Sequence, residues 1–165
     1  MDFVIEPMTA KDWERLRAVY EEGIRSGNAT FETSAPDWEQ WDKAHLSFGR
    51  LVARSQGAVV GWAALSPVSA RKAYAGVAEA SIYVSEATQG KGIGTALQEE
   101  LTRQSEAHGI WTLQGVAFAE NAASLALLKK AGFREVGRRE RIGQLDGRWR
   151  DTILLERRSP VVGKV

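Results

Sequence analysis

The sequence has 165 residues, which fits one domain of ordinary size. Its 22 Lys and Arg are balanced by 21 Asp and Glu, so charge does not point to nucleic acid or an anionic membrane as a partner. The absence of Cys excludes disulfides and a thiol nucleophile, and His45 and His108 lie too far apart for a metal-ligand spacing, so we expect no metal. No segment has the roughly 18 apolar residues of a transmembrane helix, and no signal-peptide pattern opens the chain, so we expect a cytoplasmic protein without membrane attachment.

Apolar periodicity and turn residues predict a strand, two helices, three strands, a helix, a strand, a helix and two strands, in that order. The predicted strands are Phe3–Glu6, Leu51–Arg54, Val59–Leu65, Ala78–Ser85, Thr112–Ala117, Arg134–Gln144 and Arg148–Arg157. The last two flank Asp146-Gly147, a strong hairpin signal.

Four helices are predicted. The first follows Thr9 and stops at Gly23, and the second opens at Pro36 and passes Leu46. The third runs from Gly92 or Ile93 to about His108, and the fourth from Asn121 to Gly132. The element order predicts one α/β domain over residues 1–158, built on a mixed sheet with helices on both faces. Residues 159–165 form a C-terminal tail that we expect to be disordered.

A glycine-rich turn, Gln89-Gly90-Lys91-Gly92-Ile93-Gly94, lies between a predicted strand and a predicted helix. Glycines let backbone N–H groups approach a ligand closely, and the start of a helix offers unpaired N–H donors at the positive end of its dipole. The turn therefore suits a pyrophosphate. A glycine-rich turn without a ligand explains the same residues, because short glycine patterns are common.

Two nucleotide-binding motifs are excluded by particular residues. A Walker loop needs Ser or Thr after Gly-Lys, but Lys91 is followed by Gly92. A dinucleotide fingerprint needs a third glycine, and counting from Gly90 or Gly92 places Thr95 or Leu97 there.

The turn instead resembles the signature Gln/Arg-x-x-Gly-x-Gly/Ala of the GNAT N-acetyltransferase superfamily, with Gln89, Gly92 and Gly94 at the three positions. A second landmark of that family, Asn-x-x-Ser-x-x-Leu-x-x-x-x-Gly-Phe, is matched from Asn121 to Phe133 at the usual distance downstream. Shorter segments resemble the phosphinothricin and methionine sulfone acetyltransferase group. They are Thr30–Thr33, Arg71–Tyr74, Glu79–Val84 and Gly147–Asp151.

The resemblance implies a mostly antiparallel, seven-stranded sheet whose central parallel pair, Ala78–Ser85 and Thr112–Ala117, splays apart around acetyl-CoA. It also implies backbone contacts to the pantetheine arm from Ile82, Tyr83 and Val84. The pyrophosphate would be held by Gln89, Gly90, Lys91, Gly92, Ile93, Gly94 and Thr95. Asn121 and Ser124 would contact the cofactor arm; helix capping is the alternative for both and explains Ser124 equally well.

Glu79 matches the glutamate of that group and is our candidate for the base that deprotonates the amine, directly or through water. An ordinary ion pair at a strand end is the alternative for this residue. Leu128 stands where many relatives carry the Tyr that protonates the departing thiolate, so no general acid is assigned. A thiol with a pKa near 8.5 is a tolerable leaving group without one.

The resemblance places the amine substrate against Thr30, Phe31 and Glu32 and against a loop that carries Arg71 and Tyr74. Arginine suits a carboxylate or phosphinate through a forked contact, but a solvated loop charge is an equal alternative for Arg71.

Together these features predict acetyl transfer to the α-amine of a small amino-acid-like substrate, of the phosphinothricin, methionine sulfoximine or methionine sulfone type. Acetylation of a protein N-terminus or a polyamine, and a non-catalytic CoA-binding regulatory module, remain as alternatives. The resemblance also implies a homodimer, which the six Trp hint at as interface residues.

Overall fold

The computed structural model describes residues 1–164 and contains seven strands and four α-helices. The strands are β1 (Val4–Pro7), β2 (Leu51–Ser55), β3 (Ala58–Pro67), β4 (Val77–Val84), β5 (Thr112–Phe118), β6 (Arg134–Leu145) and β7 (Arg148–Arg158). The helices are α1 (Trp13–Ser26), α2 (Trp38–Ala44), α3 (Ile93–Ala107) and α4 (Ala122–Lys130). The predicted order of elements is confirmed.

The strands form one seven-stranded sheet in the order β1-β2-β3-β4-β5-β7-β6. All neighbours are antiparallel except β4 and β5, which run parallel at the centre. This central pair is matched only from Val77 with Thr112 to Glu79 with Gln114, after which the strands separate. The predicted mixed sheet with a splayed parallel pair is therefore confirmed.

Two apolar cores lie on opposite faces of the sheet, as the alternation of side chains along β3 requires. Ala63 and Leu65 belong to the core beneath α3 and α4, whereas Trp62 and Ala64 belong to the core beneath α1 and α2. The second core also contains Trp41, which is 1% exposed. Full burial of a Leu side chain, such as Leu65 in the first core or Leu16 in the second, contributes roughly 1.5–3 kcal/mol relative to exposure, so both helical layers are held to the sheet by apolar burial.

The prediction that α1 ends at Gly23 is wrong. The helix continues to Ser26 and ends at Gly27, which has a left-handed φ of 67°. Gly23 lies inside the helix, and the position requires glycine because a Cβ there would come 2.8 Å from the ring of Tyr83. α2 begins as predicted next to Pro36, where Asp37 accepts a hydrogen bond from the N–H of Gln40 in a capping box. It ends at Ala44, so the prediction that it passes Leu46 is wrong.

The C-terminal residues 159–164 fold back against Trp111, the residue before β5, and their disorder stays a prediction. Arg158 donates hydrogen bonds to the carbonyls of Trp111, Ser159, Val162 and Gly163. Ser159 is 6% exposed and donates to Glu106 of α3. Within residues 1–164 no helix is long and apolar enough to cross a membrane.

Candidate active site

The separation of β4 and β5 opens a cleft of about 1000 Å³ through the middle of the sheet. One end of the cleft is lined by the loop before α3 and by α4, and the other end by α1 and the loop after it. The cleft therefore reaches both faces of the sheet at the point where the strands part.

Glu79 stands at the last matched position before the strands separate. Its Oε1 accepts a hydrogen bond of 2.8 Å from Nε2 of Gln114, the residue opposite it on β5. Both side chains are half-buried, and Glu79 lines the cleft. A carboxylate is thus held in a fixed position where the opening begins, and sequence reasoning did not identify Gln114 as its partner.

Beyond Glu79, β4 presents backbone groups to the cleft on alternate residues. The N–H of Ser85 bonds to the carbonyl of Val60 on β3, so Ser85 and Tyr83 direct their backbone groups toward β3. Ile82 and Val84 consequently direct theirs into the gap. Of the three residues predicted to pair with a cofactor arm, two face the cleft with their backbone and Tyr83 does not.

The loop before α3 has the geometry of an anion site. Gly90 and Gly92 have φ of 75° and 85°, and a Cβ at either would meet nothing within 4 Å. α3 begins at Ile93 without a side-chain cap and without an acid in its first turn. Its first N–H groups and the positive end of its dipole therefore face the cleft, as a pyrophosphate requires.

Other residues of this loop differ in how they meet the cleft. Gln89 lines the cleft and donates to the carbonyl of Val84 at 3.4 Å. Gly94 lies close to α4, since a Cβ there would come 2.7 Å from Cδ1 of Leu127. Thr95 also lines the cleft, whereas the side chain of Lys91 is exposed and does not.

Asn121 and Ser124 line the cleft, but Asn121 already has two partners in the chain. Its Oδ1 accepts from the N–H of Ser124 at 3.1 Å and caps α4. Its Nδ2 donates to the carbonyl of Asn28 at 2.9 Å. The side chain therefore ties α4 to the loop after α1.

Thr30, Phe31 and Glu32 lie in that loop and line the other end of the cleft. Phe31 packs edge-on against Phe118 of β5, with ring centroids 4.8 Å apart. Arg150 of β7 stacks over Phe118 at 4.0 Å and donates to the carbonyl of Gly27 at 2.8 Å and to the side chain of Asn28 at 3.1 Å. Sequence reasoning missed this anchoring role of Arg150, although it lies in the Gly147–Asp151 segment.

Arg71 and Tyr74 lie outside the cleft. Both are exposed, and the guanidinium of Arg71 lies 5.5 Å from the ring centroid of Tyr74. Neither residue lines the cleft within residues 1–164, so the structure does not bring them together with Phe31 and Glu32. Leu128 is 8% exposed and lies against β5, where a Cβ at Gly115 would come 2.9 Å from its Cδ1.

Three stacked aromatic rings lie at the end of the cleft below α1 and α2, and two of them, Tyr20 and Tyr83, line it. Tyr20, Trp62 and Tyr83 stack with centroid separations of 4.8 to 5.7 Å. Burial raises the pKa of the Tyr83 phenol well above its usual range, so this hydroxyl is a neutral hydrogen-bond donor at neutral pH. Sequence reasoning did not assign Tyr20 or Trp62 to the site, because only the fold brings them together.

His45 stacks on Trp41 in the same region, with ring centroids 4.1 Å apart. Its Nδ1 lies 2.6 Å from the carbonyl oxygen of Trp41. Burial lowers the pKa of this imidazole, so it is neutral at pH 7. Within residues 1–164 no group of three or more His, Asp or Glu side chains is placed to hold a metal ion.

Residues 12–133 match the family model described as Acetyltransferase (GNAT) family. The chain therefore belongs to the GNAT family of acetyltransferases, as its glycine turn and its Asn121–Phe133 segment predict.

Two curated relatives have names that specify a substrate. YwnH of Bacillus subtilis, which is provisionally named as a phosphinothricin acetyltransferase, is 35% identical over 89% of this chain and 93% of its own. The L-methionine sulfoximine/L-methionine sulfone acetyltransferase of Pseudomonas aeruginosa is 27% identical over 88% of each chain.

Two solved structures share the fold across nearly the whole chain. A phosphinothricin acetyltransferase from Sinorhizobium meliloti, solved in complex with acetyl-CoA, is 30% identical with a TM-score of 0.89, covering 99% of this chain and 91% of that one. A ribosomal-protein-alanine N-acetyltransferase from Brucella melitensis is 31% identical with a TM-score of 0.88, covering 94% and 99%.

Proposed function

We propose that this chain transfers the acetyl group of acetyl-CoA to the α-amine of a small amino-acid-like substrate, of the phosphinothricin, methionine sulfoximine or methionine sulfone type. The position of Glu79 carries this proposal. Its carboxylate is held by Gln114 at the point where the sheet opens, so a proton acceptor stands where ligands from the two faces would meet.

Acetyl-CoA fits the end of the cleft next to α3 and α4. Ile82 and Val84 offer backbone groups to the pantetheine amides, as a neighbouring strand would. The uncapped start of α3 and the open positions at Gly90 and Gly92 offer N–H groups to the pyrophosphate. Gln89, Lys91, Ile93, Gly94, Thr95, Asn121 and Ser124 complete the proposed contacts. When bound, acetyl-CoA supplies the thioester carbonyl that the amine attacks.

Glu79 prepares the amine for that attack. An amino-acid amine is an ammonium at neutral pH and must lose a proton before its nitrogen becomes a nucleophile. Gln114 holds Oε1, so Oε2 is available to take the proton directly or through one water. Gln114 is a positioning residue in this scheme, because it orients the carboxylate without contacting the amine.

The departing thiolate needs no protein acid in this mechanism. Leu128 cannot donate a proton, and a thiol with a pKa near 8.5 leaves readily. The N–H of Val84 faces the gap and can polarise the thioester carbonyl as charge builds on its oxygen. Direct attack by the deprotonated amine therefore accounts for the reaction with the residues present.

The choice of an amino-acid acceptor is supported by the curated relatives and by the Sinorhizobium structure, whose names specify phosphinothricin or methionine sulfoximine and sulfone. A second candidate acceptor is a protein N-terminus, which the name of the Brucella structure supports at a similar identity. The two share the same α-amine chemistry and differ in what must lie beyond the α-carbon.

A thiol-release assay with acetyl-CoA tests the proposal. The panel contains methionine sulfone, methionine sulfoximine, phosphinothricin, spermidine and an alanine-terminated peptide. We expect turnover on at least one of the first three and little on the last two. Turnover on the peptide alone would transfer the proposal to protein N-termini, and binding of acetyl-CoA without turnover on any amine would favour a regulatory module.

We also propose a homodimer in the cytoplasm, with residues 1–158 as the catalytic domain. Support for a dimer comes from apolar side chains left exposed on β6 and β7, among them Trp149 at 59% and Ile142 at 48% exposure. Trp149 does not line the cleft. Sedimentation at micromolar concentration tests the dimer directly.

A further inference from the structure

A second cavity of about 420 Å³ continues from the cleft beneath α1 and α2. Glu32, His45, Ser81 and Tyr83 line both spaces, so the cavity opens into the cleft beside the position of Glu79 on β4. A side chain attached to an α-amine at Glu79 would enter it. The mechanism proposed above gives this cavity no role.

The walls of the cavity are flat aromatic rings with hydrogen-bond donors. Trp41 and Trp62 are each 1% exposed, and within the described residues neither indole N–H has a hydrogen-bond partner. Because both indole nitrogens are themselves buried, these residues offer apolar ring surface to a ligand in the cavity. The hydroxyls of Tyr83 and Ser81 supply the hydrogen-bond donors of the wall. Such walls suit a ligand that carries acceptor oxygens.

The charge of the cavity is against an anionic ligand. Glu32, at its rim, is the one charged side chain among the residues 1–164 that line it. Arg50 lies over the Trp41 ring at 5.3 Å, but its guanidinium is bonded to Asp42 and to the carbonyls of Leu46 and His45. A phosphinate in this space would therefore have no counter-ion and would face a carboxylate.

His45 supplies a hydrogen-bond acceptor to the same space. A carbonyl can only accept, so the 2.6 Å contact with Trp41 fixes the proton on Nδ1. The imidazole is neutral because burial lowers its pKa. Nε2 therefore carries a lone pair, and His45 lines both the cleft and the cavity.

We propose that this cavity is the subsite for the side chain of the acceptor amino acid, and that it selects uncharged side chains bearing an N–H donor for Nε2 of His45. The inference rests on the proposed function and specifies its substrate. Methionine sulfoximine matches it, with an imine N–H for His45 and an oxygen for the donors of the wall. Methionine sulfone keeps the oxygens but lacks the N–H, and phosphinothricin adds a negative charge.

Steady-state kinetics with these three amino acids test the inference on the full chain. One added hydrogen bond contributes about 0.5–1.5 kcal/mol, so we expect kcat/KM for methionine sulfoximine to exceed that for methionine sulfone by roughly 3- to 10-fold. Phosphinothricin should be the poorest of the three. Equal or better turnover of phosphinothricin overturns the inference while leaving the proposed acetyl transfer intact.

Substitution of His45 separates its hydrogen bond from its packing. His45→Phe keeps a ring against Trp41 but removes the acceptor, so it should lower kcat/KM for the sulfoximine by about 3- to 10-fold and change the sulfone by less than about 2-fold. His108→Phe is the matched control, because His108 also bonds the carbonyl four residues earlier and stacks on an aromatic ring, Phe48. Equal losses for both substrates in His45→Phe would show that the residue only packs.

Two further measurements keep the inference testable if His45→Phe does not fold or no amine turns over. Glu32→Gln removes the charge at the rim and should raise kcat/KM for phosphinothricin relative to the sulfone; an unchanged ratio counts against the subsite. Without turnover, quenching of Trp fluorescence reports binding to the CoA-loaded protein. Binding in the same order supports the cavity and refutes the proposed activity, whereas absence of binding overturns both.

Discussion

The two ends of the cleft are built in different ways. The half proposed to bind the acetyl donor, called the donor half, comprises Ala80–Val84, the loop 89–92 and the first turn of α3. It presents mainly backbone groups from two adjacent stretches of chain. The half proposed to bind the acetyl acceptor, called the acceptor half, includes the second cavity and presents side chains from separate elements. These are Tyr20, Phe31, Glu32, His45 and Trp62. Backbone contacts do not depend on residue identity, so many different sequences can bind the same cofactor through them. Side-chain contacts do depend on it, so substitutions in the acceptor half can change which ligand is bound.

This contrast predicts that the largest loss of activity comes from substitution of Glu79, which lies at the boundary between the halves. Glu79→Gln keeps the size and the contact with Gln114 but removes the proton acceptor, so kcat should fall by about 10²-fold or more. The KM for acetyl-CoA should stay within about 2-fold. The measurement is kcat at several pH values, and an unchanged rate and pH profile would remove Glu79 from the mechanism.

The donor half should respond to charge more than to shape. Gly92→Asp places a carboxylate beside the proposed pyrophosphate, where a Cβ meets nothing within 4 Å. We expect affinity for acetyl-CoA to fall by about tenfold or more, because two like charges near 4 Å repel by several kcal/mol near a protein surface. Gly92→Asn is the control, since Asn tolerates the left-handed φ equally and carries no charge. Calorimetric titration that finds both variants equally weakened would assign the loss to the backbone.

The acceptor half should respond to loss of its anchors. Arg150→Lys removes the forked donor that holds Gly27 and Asn28, so the loop with Phe31 should become less ordered. We expect the KM for the amine to rise several-fold while the KM for acetyl-CoA remains the same. Arg148→Lys, at an exposed position on the same strand, is the control. A rise in both KM values would show that the two halves share this anchor.

The smallest expected effect is a pH dependence of stability in the acceptor half. Burial holds the pKa of His45 below its value in the unfolded chain, so as the pH falls below about 6.5 the unfolded state binds the proton first and folding stability declines. His45→Phe should lack this component. Its Tm relative to the parent should therefore rise between pH 7.5 and pH 5, by a few degrees at most, because 1 kcal/mol corresponds to about 2–4 °C in a domain of this size. A constant difference, by calorimetry, would mean that His45 charges freely in the folded protein.

The sequence predicted the donor half better because its signals are local. Three glycines between a strand and a helix define the loop without knowledge of the rest of the chain. The aromatic cavity had no comparable signal, since Trp41, Trp62 and Tyr83 come together only through packing on one face of the sheet. Arg71 and Tyr74 were assigned to the substrate through a short resemblance, and a short segment does not determine where a loop lies.

Gly23 illustrates a more general limit. Its position at the end of an apolar pattern predicts a helix stop, but glycine also serves where another group must approach closely. Here the ring of Tyr83 lies against the last turn of α1, and only the three-dimensional contact distinguishes the two uses.

The parting of β4 and β5 also bears on how the protein avoids self-association. A strand with unpaired backbone groups invites another chain to pair with it, and proteins usually protect such edges at the periphery of a sheet. In this fold the unpaired edge of β4 lies in the centre of the sheet, between β3 on one side and the start of α3 and α4 above. The edge therefore lies inside the cleft and not at the periphery of the sheet, where strands of other chains pair most readily. Its unpaired backbone groups can therefore bind a ligand without forming an exposed sheet edge to which another copy could pair.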